Sequence, residues 1–284
     1  MPNTIASRVY RDKYRSTTLE QALRNMLVCE KICMVDRSDN KRIQNPYGSQ
    51  PVATVQAIAG TYSIDTFTTT DDTLTVTDEV IVAEHIFDFE ELLTSFNLFA
   101  SRTDETSYQV ATKIDRFVLN NLTEDATGAY TTPAGGFTTA ANINVIMSNL
   151  ISKVAGYSDV YKGLFLVLEN TDITGFVQAQ ATNGFTFADS ALNNGFMSSY
   201  MGVDIYVVRT GTFASETLGT TSYTNSGHRV FGVKNVSTYA SPRGIKIEEK
   251  QVSGKTGMEV VTYGYIGFKL WATKTALIVD ITLA

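Results

Sequence analysis

The sequence predicts an α+β fold, and three successive residue patterns lead to this prediction. Residues 51–86 are rich in Thr and alternate apolar with polar positions, which is typical of a long β-hairpin. The residues that follow, up to about Leu122, have the apolar spacing of an amphipathic helix, and the chain from residue 138 onward alternates strand and helix patterns. With 284 residues the chain can bury a substantial core, in one large domain or two modest ones.

The amino-terminal residues 1–50 are expected to form an arm with one short helix. Residues 1–16 indicate an extended segment whose basic side chains are Arg8, Arg11, Lys13 and Arg15. Residues 17–20 resemble a capping box, and the apolar stripe behind them predicts a helix to about Cys33. Residues 34–50 are polar and rich in turn-forming residues, so they are expected to connect this helix to the hairpin.

The hairpin is predicted as two arms, 51–70 and 73–86, joined by a turn at Asp71 and Asp72. At roughly 3.3 Å per residue, each arm reaches about 45–60 Å. A two-stranded ribbon of this length is marginally stable in water and has two unpaired edges, so we expect another copy of the chain to cover it. The side chains expected in that contact are Tyr62, Ile64, Val76 and Val80.

Two helices are predicted after the hairpin, a short one over 88–99 and a longer one from Ser101 or Thr103 to about Leu122. The longer helix has one apolar face, which is formed by Val110, Ile114, Phe117 and Val118. Residues 123–137 are rich in Gly, Pro and Thr, and this composition indicates the clearest boundary in the chain.

Beyond this boundary the pattern is that of an α/β unit. Its predicted helices cover 140–155 and 171–181, and its predicted strands cover 163–169, 203–209 and 229–233. The loop 182–201 has too many aromatic side chains for a solvated loop: Phe185, Phe187, Phe196 and Tyr200. We expect some of them to pack against neighbouring copies, the alternative being that they fold back on their own domain. The end of the chain is predicted as strands over 245–252, 259–264, 266–273 and 276–282.

Charge and cysteine content narrow the classes of function. The net charge is −6, from 29 acidic and 23 basic residues, and no block of Lys or Arg stands out, so a dedicated nucleic-acid groove is not expected. Cys29 and Cys33 lie on one face of a predicted helix, which favours two buried small residues over a disulfide. The sequence has no secretory signal and no stretch of about 18 apolar residues, so we expect a reducing cytoplasm and no membrane span.

No complete set of residues for catalysis, a metal or a cofactor is visible in the sequence. Residues 253–256 (SGKT) match only the end of a phosphate-binding loop, because Glu249 stands where that motif has its first glycine, and they are interpreted as a β-turn. His85 and His228 are far apart in sequence and have no Cys or His near them. We therefore expect no enzyme activity, with an α/β enzyme or binding module carrying an inserted β-arm as an alternative.

The order of these elements resembles that of the major capsid proteins of tailed double-stranded DNA phages, the HK97 fold. VTDEVIVAEHIFDFEELLTSF followed by DETSYQVATKIDRFVLNNL is similar to the end of the extended loop and the spine helix of that family. GLFLVLENTDITGFVQAQA and MGVDIYVVRTG are similar to the axial domain, and GIKIEEKQVSGKTGMEVVTYGYIGFKLWATKTALIVDI is similar to the closing strands of the peripheral domain. The resemblance covers about residues 50–284 and lies in the order and spacing of these stretches.

The resemblance implies a division of the chain into five segments. They are an amino-terminal arm with a short helix (1–50), an extended β-hairpin loop (51–87), a peripheral domain with the spine helix (88–137), an α/β axial domain (138–240) and carboxyl-terminal strands of the peripheral domain (241–284).

The resemblance also implies a structural protein of the virion. Copies would assemble through pentamers and hexamers into an icosahedral shell around a double-stranded DNA genome, without sequence-specific DNA binding. Assembly is expected in the host cytoplasm with a portal and a separate scaffolding protein, because about 50 residues before the hairpin are too few for a fused scaffold. A cement protein is a further candidate partner, and an encapsulin-type compartment shell is the alternative function within this fold.

The contacts of such a shell are expected to be non-covalent. The hairpin arms contain no Lys, so the Lys–Asn crosslink of the family's name member is not expected. Arg8 and Arg11 are candidates for ion pairs with acidic sites on an adjacent copy, such as Glu90-Glu91 or Glu248-Glu249. Exposed pairs of this kind contribute less than about 1 kcal/mol each.

Overall fold

Helices and strands are mixed along the described part of the chain, which confirms the predicted α+β fold class. The structure is a computed structural model that describes residues 27–48, 66, 68–86, 98–183, 196–251 and 258–284. Its α-helices are α1 (Cys29–Ile32), α2 (Leu98–Asp125), α3 (Ala140–Val154) and α4 (Ile173–Asn183). Its strands are β1 (Met34–Asp36), β2 (Arg42–Gly48), β3 (Thr69–Thr75), β4 (Asp78–Ile86), β5 (Gly128–Thr131), β6 (Leu164–Glu169), β7 (Phe196–Tyr200), β8 (Val203–Val208), β9 (Thr217–Leu218), β10 (Thr221–Ser222), β11 (His228–Val233), β12 (Ser237–Ala240), β13 (Ile245–Gln251), β14 (Met258–Leu270) and β15 (Ile278–Thr282).

The long helix α2 contacts strands of both larger sheets. Its 28 residues span about 42 Å at 1.5 Å per residue. The predicted apolar face is confirmed, since Val110, Ile114, Val118 and Leu122 are all buried. The helix extends beyond the predicted bounds at both ends, because no Gly or Pro interrupts the chain from Leu98 to Asp125.

A six-stranded sheet has the strand order β5-β15-β11-β6-β8-β7. β6 runs parallel to β8, and every residue of β6 is buried, as expected for a strand covered on both faces. The predicted helices and strands between residues 140 and 181, and the strands near 203 and 229, are confirmed. The predicted loop 182–201 is wrong at its carboxyl end, where Phe196–Tyr200 forms β7 and pairs with β8.

A five-stranded sheet is organised around β14, which pairs with β12 and β13 and also with β4. β14 is a single strand of 13 residues, although the sequence predicts two strands with a turn between them. Gly264 and Gly267 suggest that turn, but in the structure they allow close packing. A Cβ on Gly267 would lie 3.1 Å from Cγ2 of Val76, and one on Gly264 would lie 3.0 Å from Cγ1 of Ile245.

The strand pairing of the hairpin differs from the prediction. β2 pairs antiparallel with β3, and Gly48 lies opposite Thr69, so the predicted connector 34–50 contains strands. Asp71 and Asp72 lie inside β3, opposite Pro46 and Asn45, and the predicted turn there is wrong.

Two features account for this difference. The carboxylate of Asp72 accepts a hydrogen bond from the backbone N–H of Ala272 at 2.7 Å and lies 3.5 Å from Nζ of Lys269, so a residue that usually favours turns has partners within a strand. The second predicted arm is also divided, because Val76 and Thr77 separate β3 from β4, and β4 pairs with β14.

Two strands of the six-stranded sheet come from outside the predicted axial segment. β5 lies in the predicted boundary loop and runs parallel to β15 near the end of the chain. Gly128 permits this approach, because a Cβ there would lie 2.7 Å from the carbonyl oxygen of Ile278. The predicted boundaries at 137 and 240 therefore cut through one sheet, and the five-segment division stays a prediction.

One continuous apolar core joins α1, α2, α3, α4 and the two larger sheets. A second, small cluster contains Leu74, Val76, Ala240 and Trp271, and it fixes the base of the β2–β3 ribbon to the end of β14. Among the described helices, none is long and apolar enough to cross a membrane. Residues 1–26 of the predicted arm and helix, and residues 87–97 of the predicted short helix, lie outside the described part.

Candidate subunit interface

The predicted contact residues of the hairpin are only partly described, and the described ones are covered by their own chain. Val76 is 7% exposed and packs with Leu74, Ala240 and Trp271, while its N–H donates to the carbonyl oxygen of Lys41 at 2.9 Å. Val80 is half-buried against the main core. β14 and β12 of the same chain therefore already cover most of Val76, and its contact with a neighbouring copy stays a prediction. Tyr62 and Ile64 lie outside the described residues.

Tyr200 also packs within its own domain. Its ring meets Phe176 edge-on, with centroids 5.8 Å apart, and its hydroxyl donates to Oδ1 of Asn144 on α3. For this residue the alternative prediction, folding back on the same domain, describes the structure. Phe196 lies in β7 opposite Tyr206. Phe185 and Phe187 of the same loop, and Arg8 and Arg11 of the arm, lie outside the described residues.

The described surface carries a set of large exposed apolar side chains. They are Met34, Ile81, Tyr108, Val145, Tyr157, Tyr161, Val177, Met201 and Tyr265. Two pairs of them lie on neighbouring elements: Ile81 and Tyr265 on the paired strands β4 and β14, and Val145 and Val177 on the packed helices α3 and α4. Exposed apolar side chains that lie together on neighbouring elements are typical of contacts between proteins.

The outer face of the β4–β14–β13 sheet is aromatic. Ile81 is 59% exposed and lies opposite Tyr263, and Tyr265 is 43% exposed and lies opposite Glu79. The Tyr263 and Tyr265 rings contact each other with centroids 6.3 Å apart. The Tyr263 hydroxyl donates to Oε1 of Glu248 at 2.6 Å, and this hydrogen bond raises the pKa of Tyr263 to about 12. Tyr263 therefore stays neutral at physiological pH, and the face combines aromatic rings with the carboxylates of Glu79 and Glu248.

The inner face of the same sheet is buried. Val80 and Val82 of β4, together with Ile245 and Ile247 of β13, belong to or pack against the main core with α2. This alternation of buried and exposed residues is the pattern of a sheet with one face on the core. On the outer face, Ile81 and Tyr265 are exposed, and no element of the described ranges covers them.

A charged cleft of about 570 Å³ lies at the base of the ribbon, next to this aromatic face. Its acidic lining residues are Asp39, Asp78 and Glu79, and its basic ones are Lys41 and Arg243. Nε of Arg243 lies 2.9 Å from Oδ1 of Asp39, and both side chains are mostly exposed. The mixed charge of this cleft suits a charged segment of a second protein chain better than a small apolar ligand.

Three buried or half-buried carboxylates form ion pairs that join α2, β11 and the loop after β8 to neighbouring parts of the chain. Glu216, next to the β9–β10 hairpin, pairs with Lys113 at 3.2 Å and with Arg116 at 3.0 Å on α2. Glu169 and Asp172 both pair with the buried guanidinium of Arg229 on β11. Glu169 also accepts the backbone N–H groups of Gly211 and Phe213, which fixes the loop after β8.

A fourth carboxylate, Asp115, joins α2 to α1. It accepts the backbone N–H groups of Val28 at 3.1 Å and Cys29 at 2.9 Å. Burial raises the pKa of Asp115 to about 6, although these hydrogen bonds lower it. Asp115 is not among the residues predicted from the sequence. A signal was present, because the positions four before and three after it on the helix, Ala111 and Val118, are both apolar.

The described residues offer little for catalysis. No group of three or more His, Cys, Asp or Glu in the described ranges is arranged to hold a metal. Cys29 and Cys33 are free and buried, and burial raises the pKa of the Cys33 thiol to about 12, so it is not a thiolate at neutral pH. His85 is half-buried in β4 opposite Glu259, and Nδ1 of His228 lies 2.9 Å from Oδ1 of Asp280. Residues 253–256 lie outside the described part, between the antiparallel strands β13 and β14.

The chain is similar in structure to solved capsid chains. No protein-family model and no curated protein matches the chain. Among solved structures, the capsid of cyanophage P-SCSP1u is similar with a TM-score of 0.65 and 10% identity, over 91% of this chain and 88% of the other. The mature capsid of bacteriophage PhiM1 gives 0.63 and 10%, over 92% and 86%. A virus-like particle from Pyrococcus furiosus gives 0.61 and 9%, over 95% and 99%.

Proposed function

We propose that this chain, which has the HK97-like capsid fold, is the major capsid protein of a tailed double-stranded DNA phage. The observation that carries the proposal is the likeness to phage capsid chains over nearly the whole length of both chains. The aromatic outer face of the β4–β14–β13 sheet supports it, because a subunit of a shell needs surface to bury against its neighbours. Its role is structural, and the copies assemble through pentamers and hexamers into a closed icosahedral shell.

The β2–β3 ribbon, together with the segment 49–68 that connects its two strands, is the proposed arm between neighbouring copies. Gly48 and Thr69 are paired, so the segment 49–68 leaves and re-enters the fold at one place. This segment contains no Lys, Arg or Glu, and it carries Tyr62 and Ile64. We place these two side chains against α2 of a neighbouring copy, where burial of several hundred Å² gives a few kcal/mol at about 25 cal/mol per Å².

The basic amino-terminal residues are proposed to add charged contacts. The base of the ribbon carries the exposed acidic residue Glu79 beside the cleft that Asp39 and Asp78 also line. Such a cleft suits Arg8 and Arg11 of an adjacent copy. Glu248 is a weaker candidate, because it already accepts the Tyr263 hydroxyl. Contacts of this kind weaken as salt concentration rises.

The other partners follow from the proposed function. A separate scaffolding protein and a portal act during assembly in the host cytoplasm, and a cement protein is a candidate for the outer surface of the shell. The packaged double-stranded DNA is not bound by sequence, which agrees with a net charge of −6 and no basic block.

An encapsulin-type compartment is the second candidate. The chain is also similar to the virus-like particle from Pyrococcus furiosus over nearly all of both chains, but this likeness does not favour the compartment over the phage shell. Such a shell encloses cargo proteins, whereas a phage shell encloses DNA.

The test measures whether the full chain assembles into particles and what those particles enclose. Gel filtration and negative-stain microscopy of the purified protein should show closed particles with five-fold and six-fold rings. Particles isolated from the native source should contain double-stranded DNA that nuclease cannot reach. A monomer or small oligomer under all assembly conditions would overturn both shell functions. Particles that contain enclosed protein and no genome would favour the compartment.

A further inference from the structure

The outer faces of α3 and α4 carry almost no charge. Lys153 is the only charged residue of α3, and α4 has none. The solvent face of a helix in a globular domain usually carries charged residues. Here the exposed positions include Val145 and Val177, which are 53% and 54% exposed.

These valines are not needed for the fold of their own domain. The inner face of α3 is fully buried through Ile143, Ile146, Met147 and Leu150, and Phe176 of α4 is buried beside them. α3 and α4 pack against each other. Val145 and Val177 point away from this core, so their apolar surface is available to another molecule.

The polar side chains on the same face already have partners within the domain. Oγ of Ser148 donates to the carbonyl oxygen of Asn144, and Oγ of Ser152 donates to that of Asn149, both at 2.8 Å. Oδ1 of Asn144 accepts the Tyr200 hydroxyl. Covering this face therefore leaves few polar groups without a hydrogen bond, and its desolvation cost is low.

We infer that the α3–α4 face is the docking surface for residues 184–195 of a second copy of this chain. The inference rests on the proposed shell function, because it assigns this surface to the contact between neighbours in one ring. It supplies the binding surface for the aromatic side chains of that segment, Phe185 and Phe187.

The composition of the segment matches the face in two respects. Residues 184–195 (GFTFADSALNNG) contain Phe185, Phe187 and Leu192, which suit an uncharged surface with exposed valines. Asp189 is the only charged residue of the segment, and Lys153 is the only charged residue on the two helices. The two charges have opposite sign, so the segment and the face do not repel each other.

The first experiment introduces charge into the face. The double variant Val145→Lys and Val177→Lys should fold normally, because both positions are exposed and Lys suits a helix. Its yield of closed particles should fall at least about tenfold, since two buried ammonium groups oppose the contact. The control Val145→Thr and Val177→Thr keeps shape and neutrality, and it should assemble nearly as the natural protein does. Equal particle yield from the lysine variant would overturn the inference and leave the shell function standing.

The second experiment separates contact between copies from contact within one chain. In the variant Val177→Cys and Phe187→Cys, oxidation of assembled particles should give a ladder of linked chains on a denaturing gel without reductant. A band at the mass of one chain with an internal disulfide, or assembled particles with no disulfide, would overturn the inference. If the natural protein forms no particles, the inference fails together with the proposed function.

Discussion

The carboxylate of Asp115 accepts the backbone N–H of Cys29 at 2.9 Å, and this contact ties the long helix α2 to the short helix α1. The carboxyl group is buried, and its pKa is raised to about 6 from the ordinary value of 3.8. The folded protein therefore binds the proton more tightly than the unfolded chain does. This contribution to stability is fully present below pH 3.8 and is lost as the pH rises through about 6.

We expect the natural subunit to gain stability over Asp115→Asn as the pH falls. The difference in their free energies of unfolding should change by up to about 3 kcal/mol between about pH 7 and about pH 4. The measurement is urea unfolding of unassembled subunits, followed by the fluorescence of Trp271, the single tryptophan. A difference that stays constant with pH would contradict the assignment.

Replacement of Arg229 should destabilise the subunit strongly. Arg229→Met leaves the buried carboxylates of Glu169 and Asp172 without their cation, which typically costs about 3–5 kcal/mol. The matched control is Arg243→Met, which removes an exposed pair with Asp39 and should change stability by less than about 1 kcal/mol. Urea unfolding of both variants measures the two effects, and similar values for both would show that the buried cluster contributes no more than a surface pair.

A methyl group at Gly175 should be poorly tolerated. A Cβ on this residue of α4 would lie 2.0 Å from the carbonyl oxygen of Phe137, so the helix or the preceding turn has to move. Gly175→Ala is expected to lower the free energy of unfolding by about 1–3 kcal/mol or more. Gly156→Ala is the control, because nothing lies within 4 Å of its added Cβ, and thermal unfolding should be nearly unchanged. Equal melting temperatures for both variants would argue against the close packing of α4.

How far the sequence predicts this fold depends on the range of each interaction. α2 follows from the spacing of Val110, Ile114 and Val118, which is a local pattern. The buried strand β6 follows equally well from its continuous apolar residues. The pairing of β4 with β14 joins residues 78–86 to 258–266, and no local periodicity reports a partner so far away in the chain.

For the candidate interface too, the sequence predicts local patterns but not contacts between distant residues. The sequence correctly marks Val76 and Tyr200 as apolar residues that need burial, but it does not reveal that Trp271 and Phe176 of the same chain bury them. The alternation of residues 79–82 correctly separates Val80 and Val82, which face the core, from Glu79 and Ile81, but it does not reveal which strand pairs with β4.

Removal of the extended loop should separate folding from assembly. Residues 49–68 can be replaced by Asn-Gly, a two-residue turn that suits the paired ends Gly48 and Thr69. Both described core clusters are formed by residues outside this segment, so the subunit should unfold at nearly the same urea concentration as the natural protein. Microscopy should show no closed shells, because the arm that covers the neighbouring copy is missing. Normal shells from this variant would contradict the proposed role of the loop.

Particles should come apart into single chains in denaturing detergent. Cys29 and Cys33 are free and buried, and residues 51–107 contain no Lys for a crosslink from the arm. Boiled particles without reductant should therefore run as one band near 31.1 kDa. A ladder of dimers and larger species from the natural protein would contradict a non-covalent shell.

The single strand β14 has a mechanical consequence for such a shell. Residues 258–266 pair with β4 and residues 267–270 pair with β12, so one uninterrupted strand belongs to both ends of the sheet. We expect a displacement of the edge strand β4 to be transmitted along β14 as far as Trp271, because no turn interrupts that strand. Val76 packs against Gly267 and Trp271, so the base of the β2–β3 ribbon is expected to move together with the sheet, and a change of angle between subunits has to occur outside this unit.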